Sequence, residues 1–397
     1  MKHWAIAGFL FFALLQRSAA MDEDFGSIIK QFAKNRLALD NQLSKQLKLP
    51  IPAAVSNFFK VVEAGDWLSV TNTFKSSDYL PGLIPNSIPE LQNELYAPVH
   101  ETSGICNVFE SWKRDSSLLR MFCDPILTAM QGGSIYFGGT DEGRFVITAA
   151  TAVRSLPKVF CLTQNAMADH RYMTHLQAIY GKDIWIPSTN DSMRAFQQFS
   201  DEAKRANDGH TFTPDGRIVI SGVGDVMAIN GILCRMIFDH NKDKHEFFLE
   251  ESYIIPWMYP YLVPSGSIMK LNKEPLEKLP EAVVEKDKAF WADLTNQLLK
   301  HPRWGTNEAA QFAFGKLRCG IAGLYQYRKM YQDAEAAYRQ AIQLSPTSAE
   351  PTSRLASMYK ALGRTSDAHE VVKKLMEVAP SQSEFAKKLL KALDDKR

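Results

Sequence analysis

A chain of 397 residues exceeds the roughly 250 to 300 that one hydrophobic core normally serves, so at least two packed units are expected. Its 45% hydrophobic and 23% charged residues are those of an ordinary globular protein and exclude both a disordered chain and a multi-spanning membrane protein. With 46 basic and 44 acidic residues the formal charge is only +2, which gives a nucleic-acid partner no electrostatic hold.

Lys2 and His3 precede an apolar run at residues 4–15, and Ser18, Ala19 and Ala20 place small residues where a signal peptidase cuts. The run is shorter than the ~20 residues of a spanning helix. Residues 1–20 therefore read as a signal peptide, and the expected mature protein is exported, periplasmic or extracellular, with no integral membrane segment. Residues 21–80 read as a helical segment. Phe25, Ile28, Ile29, Phe32, Leu37, Leu43 and Leu47 recur at mostly helical spacing until Pro50 and Pro52 stop the helix. Gly65 and Asp66 then mark a turn between two further helices. Residues 81–105, rich in Pro, Asn and Ser, read as a linker. The five cysteines are odd in number and far apart, with no CxxC. Cys106 and Cys123 are the pair an oxidising compartment would join, whereas Cys161 and Cys319 read as buried thiols.

Residues 106–300 alternate strand and helix patterns. A helical stretch at 109–130, with a break expected at Asp124-Pro125, leads to an apolar run at 134–137, a polar turn at 138–145 and a helix at 146–153. A second run at 159–162 opens into a second polar stretch. Two parallel strands joined by a helix make a βαβ unit, and ligands of open α/β sheets sit outside the carboxyl ends of such strands. A third strand is expected at 183–186, a hairpin arm at 217–221, and further strands at 246–249 and 267–271, separated by helices at 172–180, 192–207 and 226–238. The expected fold class is α/β: an open, mostly parallel sheet with flanking helices, preceded by the helical segment.

The polar turns hold the candidate ligand residues. Thr140, Asp141 and Arg144 join backbone N–H groups at a helix start, a combination suited to a phosphate, a carboxylate or a sugar. Gln164, Asn165 and Asp169 follow the second strand, Ser188, Asn190 and Asp191 follow the third, and Glu250 lies just beyond a later one. Each group also has a local reading: Asp141 can cap the helix and pair with Arg144, and Asp169 and Asp191 can cap helices. No dinucleotide fingerprint, phosphate-loop lysine, nucleophile elbow or H-E-x-x-H is present. The calcium-loop spacing of Asp239, Asn241, Asp243 and Glu250 fails where Lys244 replaces the required glycine. Neither a cofactor nor a metal is expected.

The carboxyl end carries a repeat. Ala334, Tyr338, Ala341 and Pro346 are answered 34 residues later by Ala368, Val372, Leu375 and Pro380, and Tyr325 by Tyr359. A 34-residue helix–turn–helix period with small residues at the crossing and proline after the second helix is the tetratricopeptide pattern. It places repeats at 315–348 and 349–382 and a polar capping helix from 383, within a repeat unit spanning 305–397. The motifs at 133–145, 162–169, 250–252 and 256–260 together resemble exported bacterial proteins of the Verrucomicrobia type. They are also similar to the soluble extracytoplasmic part of protein O-mannosyltransferase-like proteins with C-terminal tetratricopeptide repeats. The resemblance implies the same succession of strand, polar turn, helix, strand and terminal repeats, and implies little about chemistry.

The resulting expectation is an exported binding or scaffold protein, in which the α/β domain takes a small polar or glycan ligand and the repeats take a protein partner. The alternative is an enzyme acting on a glycan or sugar phosphate, with Asp141, Asp169, Asp191 and Glu250 supplying general acid and base at the strand ends.

Overall fold

The computed structural model describes residues 24–70, 95–130, 132–153, 158–206, 210–250 and 255–395; the expected signal peptide, the end of the expected helical segment and the first part of the expected linker lie outside them. Contacts divide the chain into two units, residues 1–123 with 145–156 and residues 124–144 with 157–397.

The first unit is helical. α1 (Phe25–Leu47) buries Phe25, Ile28, Ile29 and Phe32, the stripe their spacing predicts. α2 (Ala53–Ala64) ends at Gly65, whose φ of 71° suits a residue without Cβ, and Asp66 caps the following turn by accepting from the Ser69 N–H at 3.1 Å. Residues 96–105, expected in the linker, are instead the start of α3 (Tyr96–Ser111), with Ala97, Val99 and Ile105 buried. Pro98 lies in the first turn, where its missing N–H forfeits no helical bond, so a residue that reads as a linker signal serves a helix start. The break expected at Pro125 is displaced as well. α4 (Ser116–Ala129) runs through that proline, and the chain turns earlier, at Lys113 and Arg114, both left-handed. Asp115 then caps α4 by accepting from the Ser117 and Leu118 N–H groups. α5 (Ile147–Val153), the helix between the first two strands, packs in this unit against α1.

Two buried features of this unit depart from surface expectation. Arg36 and Glu101 form an ion pair at 2.6 Å, and beside it Asp40 is fully buried. Burial pushes the Asp40 carboxyl up to about 8 against the pull of Arg36. Cys106 and Cys123 are not bridged: all five cysteines are buried thiols, and burial raises the Cys106 thiol above its ordinary value.

The second unit contains a five-stranded sheet in the order β2-β1-β3-β5-β4. The strands are β1 (Ile135–Gly138), β2 (Phe160–Thr163), β3 (Phe247–Glu250), β4 (Leu262–Ser265) and β5 (Ile268–Leu271). β2, β1 and β3 are parallel, while β3–β5 and β5–β4 pair antiparallel, so the sheet is mixed and not mostly parallel. β4 escapes a sequence reading because Pro264 lies inside it. As an edge strand it tolerates a residue with no N–H to donate, and the turn into β5 is made by Gly266 at φ 67°.

The strand expected at 183–186 does not form. Its backbone is extended, but Trp185 donates its N–H to Asn241 Oδ1 at 2.9 Å and accepts from Asn241 Nδ2 at 2.9 Å. One buried side-chain amide thus does for Trp185 what a neighbouring strand would do. The expected hairpin around Asp215-Gly216 is present as a single bridge between Phe212 and Ile218. Helices α6 (His170–Tyr180), α7 (Thr189–Ala206) and α8 (Val223–Asn241) lie between β2 and β3 in the chain, and a 3-10 turn, Pro256–Tyr261, precedes β4.

α9 (Glu281–Lys300) leads to the helices of the repeat region: α10 (Glu308–Tyr327), α11 (Tyr331–Leu344), α12 (Ala349–Ala361), α13 (Thr365–Val378) and α14 (Ser383–Asp394). Ala334, Tyr338 and Ala341 are buried, as are their counterparts Ala368, Val372 and Leu375. The backbone repeats too. Lys329 and Gly363 hold the left-handed turn position at φ 59° and 74°, and the following Met330 and Arg364 donate to the carbonyls of Tyr325 and Tyr359 at 2.9 and 2.8 Å. Asp287 of α9 secures the first pair: its Oδ2 accepts from Arg318 and from the Tyr325 hydroxyl, both at 2.7 Å, in a site where Arg318 and Asp287 are buried.

Candidate functional site

β1 is the centre of the parallel part of the sheet. The chain leaves it for β2 on one side and returns as β3 on the other, so the point where strand order reverses lies outside the carboxyl ends of β1 and β3, where Gly138 and Glu250 are register partners. Such a crevice is where open α/β sheets hold ligands.

Here it is filled by the chain's own carboxylate. Glu250, 1% exposed, accepts from Thr140 Oγ1 at 2.8 Å and from the backbone N–H groups of Gly139 and Thr140 at 3.3 and 3.4 Å. Thr140 Oγ1 in turn accepts from the Gly143 N–H at 2.9 Å. A Cβ on Gly143 would lie 1.9 Å from Glu250 Oε2, so any side chain there would displace the carboxylate from these donors. The π-helical turn Glu142–Val146 follows immediately. Donors read from the sequence as a cradle for an anion or a sugar oxygen thus face an anionic oxygen supplied 110 residues later in the chain.

The structure therefore brings Thr140 and Glu250 together and gives Asp141, Arg144, Asp169, Ser188 and Asp191 local partners. Asp141 and Arg144 pair at 2.5 Å, three residues apart, with Asp141 half exposed. Asp169 caps α6 by accepting from the Arg171 N–H at 2.9 Å and pairs with the Arg171 side chain at 2.8 Å. Burial opposes, but the Arg171 hydrogen bonds leave its carboxyl below the usual range. Asp191 and Ser188 form a reciprocal cap at the start of α7. Asp191 Oδ2 accepts from the Ser188 N–H and hydroxyl at 2.8 and 2.6 Å, and with Arg194 these bonds lower its carboxyl to about 2. Asn190 stands exposed beside them along a shallow cavity of about 690 Å³. Asn165 donates weakly to the Gly139 carbonyl at 3.4 Å, and Gln164 is fully buried with neither amide atom bonded among the described residues. Among those residues no group of three or more His, Cys, Asp or Glu is placed to hold a metal ion. The four carboxylates that a glycan-active enzyme would use are each held by a different neighbour.

A larger opening lies next to the filled crevice. A cleft of about 1640 Å³ is lined by Gly139 and Asn165 at the strand ends, by one face of α8 and by the 3-10 turn before β4. Its wall is mostly apolar, with Ile220, Val223, Val226 and Met227 around the start of α8 and Trp257 opposite. Val223 is 79% exposed and Val226 36%, so two apolar residues of the first helical turn face water together. Close packing shapes the far wall: the Trp257 indole donates to the Gly231 carbonyl at 2.9 Å, and a Cβ on Gly231 would meet Ile255 at 2.9 Å. Arg235 is held by Asp239 at 2.7 Å and lies 4.9 Å from the Trp257 ring centre. On the open side, the Asp225 carboxylate accepts from the Ser221 N–H at 2.6 Å and contacts His210 Nε2 at 2.9 Å, tying residues 210 and 221 to the helix start.

From the repeats, Lys316 of α10 and Arg354 of α12 reach the same cleft. Lys316 also lines a second hollow of about 600 Å³ between α10, α12 and the turn before α14, with Phe312, 44% exposed, on its wall. The sequence does not single out this cleft, because Gly222 and Gly224, between the arm at 217–221 and the helix expected at 226–238, have the composition of a plain strand-to-helix turn. The available signal was the cluster Val219, Ile220, Val223 and Val226 around a helix start, where polar caps are the rule.

Residues 327–393 match the tetratricopeptide repeat family. The match spans the last residue of α10 through nearly all of α14, and so covers the turn geometry that recurs at Lys329 and Gly363. No curated protein and no solved structure matches the chain. No helix among the described residues is long and apolar enough to cross a membrane.

Proposed function

We propose that this chain is an exported scaffold protein whose C-terminal repeats hold a protein partner and whose sheet-containing half contributes a ligand-binding cleft. The observation that carries the reading is the repeat match at 327–393 together with the hollow between α10 and α12, where Phe312 is left 44% exposed. Helical repeats stack so that such a face binds extended or helical segments of other proteins. Export is supported by the apolar run and small residues at 4–20. The small polar or glycan ligand expected at the strand ends moves in this reading from the turn at 138–145, whose donors meet Glu250, to the adjoining cleft.

A photo-crosslinking residue in place of Phe312 in the full chain, expressed in an organism that exports it, tests the proposal. A discrete crosslinked protein in the exported fraction is expected, and it should disappear when Lys316 is also changed to Glu. The same crosslinker at exposed Val378 is the control. Equal yields at both positions, or none at Phe312, would sink the scaffold reading.

A further inference from the structure

We propose that the hairpin at 211–221 is a flap that closes over the apolar cleft, and that the Asp225 carboxylate latches it in an open position. This rests on the reading of the cleft as a ligand site and adds how that site is covered.

The hairpin holds its own shape. Thr213 donates its N–H to the Arg217 carbonyl at 2.8 Å and Val219 to the Thr211 carbonyl at 2.9 Å, and its buried side chain, Ile218, belongs to the bridge partner of Phe212. An element bonded within itself moves as a body about a hinge. It joins α8 through Gly222, whose φ of 109° and ψ of −171° lie in a region only glycine occupies. Beyond its chain neighbours, no atom of the described residues lies within 4 Å of the place a Cβ on Gly222 would take, so the joint carries no packing.

Across that joint one carboxylate fixes both ends of the arm. Asp225 accepts from the Ser221 N–H at 2.6 Å and lies 2.9 Å from His210 Nε2. From α7, Phe199 meets the His210 ring at 5.7 Å, and the Lys204 ammonium lies 5.6 Å from the Phe212 ring centre.

The position so held is an open one. Val219 and Ile220 on the arm are exposed, as are Val223 and Val226 just past the hinge, so apolar side chains on both sides of Gly222 face water. Ile220, Gly222, Val223 and Val226 line the cleft itself. At about 1640 Å³ the cleft is wider than the roughly 300 to 1,000 Å³ that a small ligand fills. Rotation at Gly222 that lays the arm against the first turn of α8 covers the four apolar side chains and narrows the opening, as loop closure does at other ligand sites.

The experiment places nitroxide labels at Val219→Cys on the arm and Lys316→Cys on the repeat side of the cleft in the full chain, where the native cysteines are all buried, and reads their separation by double electron–electron resonance. Asp225→Ala removes the latch and should move the equilibrium about tenfold toward a second, shorter distance, the factor that accompanies the net free energy of one hydrogen bond. Adding Ile220→Asp puts a charge where closure buries an apolar side chain and should return the longer distance. Nile red, a neutral apolar dye, should dissociate more slowly from Asp225→Ala than from wild type, because it leaves through the open state. An unchanged distance in Asp225→Ala would overturn the flap, as would a broadened one that Ile220→Asp leaves as it is, the mark of a loosened helix start. Closure that responds to both variants while Nile red fails to bind would uphold the flap and remove the ligand reading of the cleft.

Discussion

Glu250 and Asp287 are both buried carboxylates, 1% and 3% exposed, yet the regions they hold together are built on different scales. Glu250 gathers backbone N–H groups and a hydroxyl from a turn more than a hundred residues away, and without the β1–β3 pairing it has no partner there. Asp287 receives a guanidinium and a phenol from α10, the helix that opens the repeats. The repeats above it recur through local spacing alone, since each turn bonds within five residues. The difference teaches that a polar turn read as a ligand cradle is a statement about donors, and that the acceptor can come from any part of the chain.

Removing Asp287 should have the largest effect. Asp287→Ala leaves the buried Arg318 guanidinium without its counter-ion, and a loss of about 3 to 5 kcal/mol is expected in chemical unfolding followed by α10 hydrogen exchange. An unchanged exchange rate in α10 would mean that the repeats stand without this pair.

A third buried carboxylate, Asp40, sharpens the contrast because burial dominates there. Its folded pKa of about 8 lies above the unfolded value near 3.8, so the native state binds more protons between those limits. The contribution to stability is fully present below about pH 4 and is lost as pH rises through 8. At about 1.4 kcal/mol per unit, the loss between about pH 4 and about pH 7 is on the order of 4 kcal/mol. Asp40→Asn should flatten this pH dependence of the first unit, and a slope that persists in the variant would assign it to another group.

Glu250→Ala tests the sheet region directly. The Gly139 and Thr140 donors lose a charged acceptor, a cost of about 2 to 3 kcal/mol, and added acetate should restore part of it by entering the vacated position. Failure of acetate to raise the melting temperature of the variant would show that these donors hold no exchangeable anion.

The repeats offer a smaller, purely backbone test. Gly363 has φ 74°, and beyond its own turn no atom of the described residues lies within 4 Å of the place a Cβ would take. Gly363→Ala should therefore cost about 1 kcal/mol through strain alone, and Lys329→Gly at the equivalent turn should gain a few tenths. Thermal melts of the two variants moving in the same direction would break the equivalence. The smallest effect is expected for Arg144→Ala, about 0 to 1 kcal/mol, as Arg144 pairs with half-exposed Asp141. A larger loss would return the turn at 138–145 to the functional surface.

Elements with a strong local pattern are legible in the sequence. β1, β2, β3 and β5, the α1 stripe, the Gly65-Asp66 turn and the helical repeats follow from apolar spacing, glycine and capping residues that act within a few positions. Where the reading fails, another group or position replaces the local rule. Asn241 supplies Trp185 with the bonds of an absent strand, an edge position makes Pro264 acceptable in β4, and Pro98 opens a helix where composition suggests a linker. Of the candidate site, Thr140 and Glu250 are recognisable as polar groups at strand ends, with nothing in the sequence to pair them.

What the sequence by itself determined is the tetratricopeptide period, because a 34-residue recurrence of small, aromatic and proline positions encodes its own neighbour contacts. Tertiary structure alone decided that Glu250 fills the crevice beside β1 and that the open surface lies on α8. Those outcomes depend on strand order and on which side chain the strand register sets against a group of donors, and neither leaves a periodic trace in the chain.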